Sequence, residues 1–480
     1  MTDLTITIAT NERNNDMSPK QPMKPVMLVR PPLGVLDDPG FWDEMKDAGI
    51  DEVAIQWMTV YDKRGDASSP AMLKGEDVHP RTLKAAGGKD AKGVPVGPFK
   101  PNASLYKDLK NWTPPDMPDA VNDQAKNLHA ALTRAKSQGF KLWVMDDKGY
   151  HRIGSTGTGR PAQAAVSVLE PETPVYGGVR LQDTVANFPM FDYVVLDGPD
   201  YRWEIKPGHR DDIFVENFDD PHQRQFAQSI GLTIERVHQG RDNFKKRLTS
   251  LTPARVDDFV KNQSKGVGGY LWWTEDPAVA DWVRYKQAAV EHVVRANVSE
   301  IRKRVPNIKV GTSSRVPAMT IMNGHNLRRE RTFTDFQLPK EYWWLAVAGI
   351  RGTIANWILT LADWNPSIGE EGAARWFSAA FDVPLPSDYP ASSYGKEATK
   401  QWFETTVRDQ TRKMISEVGG VDRFVPFVGL EHFNLGWMSS TELRGLLAEM
   451  QAQGTKRYCY YTYNSIRPDD WKVIREFSRG

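Results

Sequence analysis

Along this chain, helix-like stretches repeatedly end in Gly or Pro-Asn and pass straight into short apolar runs. The junctions are Ala48-Gly49-Ile50 before EVAIQW, Gln138-Gly139 before FKLWVMDD and Gly268-Gly269 before YLWWTED. Further on come Pro306-Asn307 before IKVGTSS, Ala348-Gly349 before IRGTIANW, Gly419-Gly420 before VDRFVPFVGLE and Gln453-Gly454 before TKRYCYYTYN. A glycine just past a helix takes the left-handed cap conformation without a Cβ clash. Near-continuous apolar runs are the pattern of strands buried on both faces, as in parallel sheets. With VMLVR at Val26 the count reaches eight strands alternating with helices. That predicts a (β/α)8 barrel, whose chemistry lies at the C-terminal ends of its strands.

The polar stretches set the organisation. Residues 1–24 lack the basic start, apolar core and cleavage site of a signal peptide and read as a mobile polar leader, leaving 25–480 for the barrel. A Gly- and Lys-rich run from Tyr61 to about Asp116 predicts a long loop after the second strand, and loops of that length commonly serve a site. Between 151 and 217 closely spaced turn signals separate alternating runs, which predicts a β-rich insertion after the third strand. FDYVVLD falls inside it; taken as a barrel strand it would bring the count to nine.

Charge and composition narrow the partners. Lys plus Arg (62) nearly cancel Asp plus Glu (61), and the absence of a basic stripe argues against nucleic acid. No run approaches the ~20 apolar residues of a membrane span, so no membrane partner is expected and the cytoplasm is the expected compartment. The single Cys459 excludes an intrachain disulfide. HExxH, CxxC and His clusters are absent from the sequence, so no metal or cofactor is expected.

Two carboxylates at strand ends are the leading candidates for catalysis: Glu275 after the fourth predicted strand and Glu431 after the seventh. Glycosidic cleavage needs one protonated carboxyl to assist the leaving oxygen and one ionised carboxyl to attack or to activate water. Trp272 and Trp273 beside Glu275 would desolvate it and raise its pKa, which suits the acid role. Asp146, Asp147 and Asp276 are candidate hydroxyl clamps, as are Asn356, His432, Asn434 and Tyr463. Asp197 and Asp200 in L-D-G-P-D-Y read as turn caps. Of the 16 Trp, several sit at or beyond predicted strand ends: Trp57, Trp272, Trp273, Trp357, Trp364 and Trp437. Such rings either fill a core or stack on sugar faces.

Glutamates after the fourth and seventh strands resemble the arrangement in the large clan of barrel glycoside hydrolases that includes β-galactosidases and cellulases. L-W-V-M-D-D-K-G-Y at Leu142–Tyr150 resembles the LWxYDExGYPSG segment of rhamnosidase-like barrel hydrolases, and Y-L-W-W-T-E-D-P is similar to their xFTDEP segment. By this resemblance Asp146 and Asp147 match the acidic pair after the third strand, and Glu275 and Asp276 match the pair after the fourth in swapped order. His151 and Arg152 replace a Pro-Ser, and Thr274 stands where the clan carries Asn. The resemblance implies hydrolysis of an O-glycosidic bond in an oligo- or polysaccharide. The rival reading is a non-catalytic carbohydrate-binding barrel. A third keeps the barrel but works through Asp197 and a second Asp, and requires FDYVVLD to be a barrel strand.

Overall fold

The computed structural model describes residues 21–30, 32–58, 79–85, 99–110, 121–147, 169–198, 200, 201, 203, 205, 210–214, 218, 220–263, 268–340, 350–387, 390, 397–429 and 438–479. Eight parallel strands form one sheet: β1 Lys24–Val29, β2 Glu52–Met58, β3 Lys141–Asp147, β4 Phe191–Asp197, β5 Lys309–Ser313, β6 Phe336–Gln337, β7 Phe427–Gly429 and β8 Arg457–Tyr461. The order is β6-β5-β4-β3-β2-β1-β8-β7. Parallel bridges Gln337–Phe424 and Lys340–Phe427 join the two ends of that order. The result is a closed (β/α)8 barrel.

Side-chain alternation explains why these runs are apolar throughout. Val26, Leu28, Ala54, Trp143, Met145, Val195, Phe336, Phe427, Cys459 and Tyr461 fill the barrel interior. Their neighbours Met27, Val53, Leu142, Val144, Val194, Val310 and Val428 pack outward against the helices. Where Phe336 crosses the interior, β5 carries Gly311, because any Cβ there would collide with the ring. Four of the predicted caps, Gly49, Gly139, Gly419 and Gly454, take positive φ; Gly139, at φ 90°, has nothing near its missing Cβ, so backbone conformation alone requires it. At the N-terminal end the buried Glu52 carboxylate accepts from Trp143 Nε1 at 2.9 Å, with Lys141 and Arg457 each 3.6 Å away.

Two predicted strands are helices. Gly268–Thr274 is a short helix, with Tyr270 and Leu271 exposed and Trp272 and Trp273 buried. That two-out, two-in alternation follows a helical period. Ile350–Trp364, which contains Asn356 and Trp357, is also a helix and is buried almost all round. The strands that replace them are Phe191–Asp197 and the two-residue Phe336–Gln337. Within 151–217 the described residues include the helix Glu172–Asn187 and β4 itself, so FDYVVLD is a barrel strand and not part of an insertion. Lys24 already belongs to β1, so the barrel begins one residue earlier than the expected boundary.

The connections after β4 and β6 are long and mostly helical. Their helices pack on one another through aromatic rings. Trp272 meets Trp376 edge-on at 4.8 Å, Trp273 stacks on Phe244 at 5.1 Å, and Trp357 meets Phe381 at 5.2 Å. Trp273 Nε1 donates to the Ala380 carbonyl at 2.8 Å. No helix of the described residues is long and apolar enough to cross a membrane.

Candidate functional site

Because every strand is parallel, all C-terminal ends open on one face. Three adjacent strands, β4, β5 and β6, deliver charged side chains there. Asp197 closes β4, two residues beyond the inward-facing Val195, so alternation turns it toward the barrel axis. Arg315 follows β5 by two residues, and Lys340 follows β6 by three. A parallel bridge joins Arg315 to Lys340, and the Lys340 amide donates to the Ser314 carbonyl at 3.0 Å, so the two cations stand side by side.

Each cation has a carboxylate. Lys340 Nζ lies 2.7 Å from Asp197 Oδ1, and Arg315 Nη2 lies 3.0 Å from Asp200 Oδ2. The Arg315 guanidinium also sits 5.0 Å from the centre of the buried Trp203 ring. All four charged side chains are largely withdrawn from water, at 10% exposure for Lys340, 13% for Asp197, 15% for Arg315 and 5% for Asp200. Ion pairs this dry are strong only when both partners stay: removing one leaves an uncompensated charge, at a cost of about 3–5 kcal/mol. Burial and the neighbouring Arg315 push the Lys340 ammonium below the ordinary lysine range, against the opposing pull of Asp197 and Asp200.

Around this cluster the barrel mouth is polar. Arg30, just past β1, donates to the Tyr461 hydroxyl, while the Asn464 side chain clamps the Arg30 backbone, accepting from its amide at 3.2 Å and donating to its carbonyl at 3.3 Å. Gln56 and Ser313 are also buried near the ends of β2 and β5. Carboxylate, ammonium, guanidinium and hydroxyl groups thus converge at one end of the barrel, an arrangement suited to binding a hydroxyl-rich ligand and to moving a proton.

The sequence candidates fall elsewhere in part. Glu275 stands between two helices, not at a strand end, half exposed at 54% and ion-paired with Arg247. The barrel-face position that motivated its acid role does not exist. Asp276 caps the helix Pro277–Arg304, accepting from the amides of Ala278 and Val279 at 2.8 and 3.4 Å, and it takes a third bond from Asn243. Asn356, Trp357 and Trp273 are buried in the helical layer. Tyr463 does follow β8, but its hydroxyl donates to Glu44 at 2.8 Å and its ring packs on Phe41, away from the barrel axis. The backbones of Asp146 and Asp147 end β3 and that of Trp57 lies in β2, as expected, while their side chains are outside the described set. Glu431, His432, Asn434 and Trp437 also lie outside the described residues.

Sequence reasoning passed over Arg315 and Lys340, and it read Asp197 and Asp200 as turn caps, with Asp197 catalytic only in the third reading. The available signal was the alternating FDYVV run ending on an acid before Gly-Pro, a strand end and turn in one. Q-L-P-K after a two-residue strand carries no comparable mark.

No protein-family model and no curated protein sequence matches this chain. Among solved structures it is similar to the glycoside hydrolase domain of PgaB (BpsB) from Bordetella bronchiseptica, with 14% identity, a TM-score of 0.46 and coverage of 95% of this chain and 99% of that one. It is also similar to the catalytic domain of a beta-amylase from Paenibacillus polymyxa (10% identity, TM-score 0.44, 95% and 97% covered). A third is the endo-beta-1,4-mannanase from Thermotoga petrophila (10% identity, TM-score 0.43, 96% and 77% covered). The assignment of the barrel rests on the strand topology itself.

Proposed function

We propose that the protein hydrolyses an O-glycosidic bond of an oligo- or polysaccharide at the C-terminal face of the barrel, with Asp197 as its ionised carboxylate. The observation that carries this reading is the Asp197–Lys340 pair at the ends of β4 and β6. The Lys340 ammonium 2.7 Å away is an opposite charge in direct contact, which suits Asp197 to the nucleophile or base role in glycoside cleavage. The second carboxyl is assigned to Glu431, which follows Gly429, the last residue of β7, by two positions. Acids after strands four and seven thus remain the working pair, with Asp197 in the place first given to Glu275.

Each group has a defined task. Glu431 gives its proton to the leaving oxygen, while Asp197 attacks the anomeric carbon or deprotonates the water that does. The separation of the two carboxyls sets the outcome, about 5–5.5 Å for retention and about 6.5–9.5 Å for inversion. Asp200 and Arg315 hold the loop after β4 against β5 and keep Lys340 in place.

A panel of aryl glycosides and polysaccharides, assayed with wild type and with Asp197→Asn, tests the reading. Turnover of at least one substrate that disappears in the variant, assayed below the variant's own melting transition, is the expected result. Glycan binding with no turnover of any substrate would instead favour the carbohydrate-binding barrel.

A further inference from the structure

We propose that Lys340 is also an imine-forming amine, able to capture the carbonyl carbon of a small aldehyde or ketone with Asp197 as its proton-transfer partner. The juxtaposition is chemical rather than merely ionic. Imine formation needs an amine that can shed its proton, a group within hydrogen-bond reach to take that proton and return it, and an open face for the carbonyl. Lys340 Nζ and Asp197 Oδ1 stand 2.7 Å apart at the barrel face, with 10% and 13% of their side chains reachable from outside. A second cation, Arg315, is bridged to Lys340 at the neighbouring strand end. Burial and a nearby positive charge are the two means by which proteins free a lysine lone pair, and both depress the Lys340 ammonium here.

The reaction balances without an outside reagent. The Lys340 ammonium passes one proton to Asp197. The freed amine attacks the carbonyl carbon, a C–N bond forms, the C=O pair moves to oxygen, and oxygen takes a proton from nitrogen to give the carbinolamine. Asp197 then returns its proton to the hydroxyl, which leaves as water while the nitrogen lone pair closes the C=N bond. The products are a protonated imine, water and the Asp197 carboxylate.

The other buried lysine provides an internal contrast. Lys286 is fully enclosed in the helical layer, where its ammonium donates to the Met322 carbonyl and lies 3.7 Å from the centre of the Trp282 ring. It is buried away from the strand ends. Burial is common to both lysines; the barrel-face carboxylate partner belongs to Lys340.

The test is reductive trapping, which does not depend on glycan turnover. The full chain is incubated with glycolaldehyde and sodium cyanoborohydride near neutral pH, and labelling rates are read for each lysine by peptide mapping. Every unit by which an ammonium falls below its ordinary range raises the free-amine fraction about tenfold. Lys340 should therefore label faster than the exposed Lys303, and Lys286 should not. Asp197→Asn should lower the midpoint of Lys340 labelling, since the carboxylate no longer holds the proton on the ammonium, yet slow Lys340 selectively at pH above that midpoint, where only the lost proton transfer counts; Lys303 stays unchanged, and Lys340→Arg should remove the fast adduct. The midpoint of the pH profile for Lys340 labelling should lie below that of Lys303, a readout that needs no variant to fold. Labelling of Lys340 no faster than Lys303, or unaltered by Asp197→Asn in a folded protein, would overturn the proposal. Loss of glycosidase activity with trapping retained would count against the hydrolase reading alone.

Discussion

The aromatic helical layer and the charged strand-end cluster present opposite faces of the same physical rule. Trp272, Trp273, Trp357 and Trp376 come from two helical connections and are buried against one another and against Phe244 and Phe381. Asp197, Asp200, Arg315 and Lys340 are scattered over more than a hundred residues of sequence and meet at three adjacent strand ends. Ring density therefore marks the place where two helical connections bury their apolar faces. The chemistry-bearing groups assemble only through the register of the sheet. A large apolar side chain needs only another apolar surface, whereas a buried charge needs one particular partner.

The largest expected effect separates the two regions directly. Asp197→Asn should lower kcat/KM of the folded protein by about 10²–10⁴, beyond any stability lost when the Lys340 ammonium is left without its carboxylate. Trp273→Ala or Trp357→Ala should cost about 3–5 kcal/mol of folding free energy by leaving a cavity in the helical layer, with kcat/KM of the folded protein kept. Chemical denaturation reads the second effect. A Trp357→Ala protein that keeps its stability but loses glycan affinity would return that ring to the binding role predicted from sequence.

A third contrast concerns charge that is structural. Glu330 is fully buried outside the barrel, and its Oε1 lies 2.7 Å from His325 Nδ1, with Thr312 and the Asn326 amide also bonded to the carboxylate. Burial alone would raise its pKa, but the His325 contact and these hydrogen bonds outweigh that and hold it below the ordinary glutamate value. A depressed carboxylate contributes stability above its unfolded pKa and loses it as pH falls through the folded value. Thermal stability should consequently decline on acidification below the ordinary glutamate range, and Glu330→Gln should flatten that decline. An acid limb of equal steepness in the variant would assign the loss to other groups.

The smallest effect belongs to Glu275. Glu275 is half exposed but its partner Arg247 is largely buried, so Glu275→Gln should cost stability, by less than the about 3–5 kcal/mol of a pair buried on both sides. Activity of the folded protein should stay near that of wild type.

Much of the barrel was legible before any coordinates. β1, β2, β3, β5, β7 and β8 all lie where apolar runs follow helix-ending Gly, Pro-Asn or the leader. The fourth and sixth strands were not, for physical reasons. YLWW is apolar enough to imitate a buried strand, and only its exposed Tyr270 and Leu271 reveal a helix. Accepting it made FDYVVLD look surplus. β6 is two residues long, too short for any period, and one of the two is the buried polar Gln337. The candidate positions followed that misplacement: Glu275 was taken as the fourth strand-end acid, a position that Asp197 holds, while Lys340 and Arg315 come together only through cross-strand bridges that no local pattern records.

The most direct measurement is kcat/KM for Asp197→Asn and Glu275→Gln on the same aryl glycoside, with melting curves beside each. The account predicts a fall of about a hundredfold or more for Asp197→Asn and near-normal turnover for Glu275→Gln. Near-normal turnover by a folded Asp197→Asn protein, with activity abolished in Glu275→Gln, would contradict it.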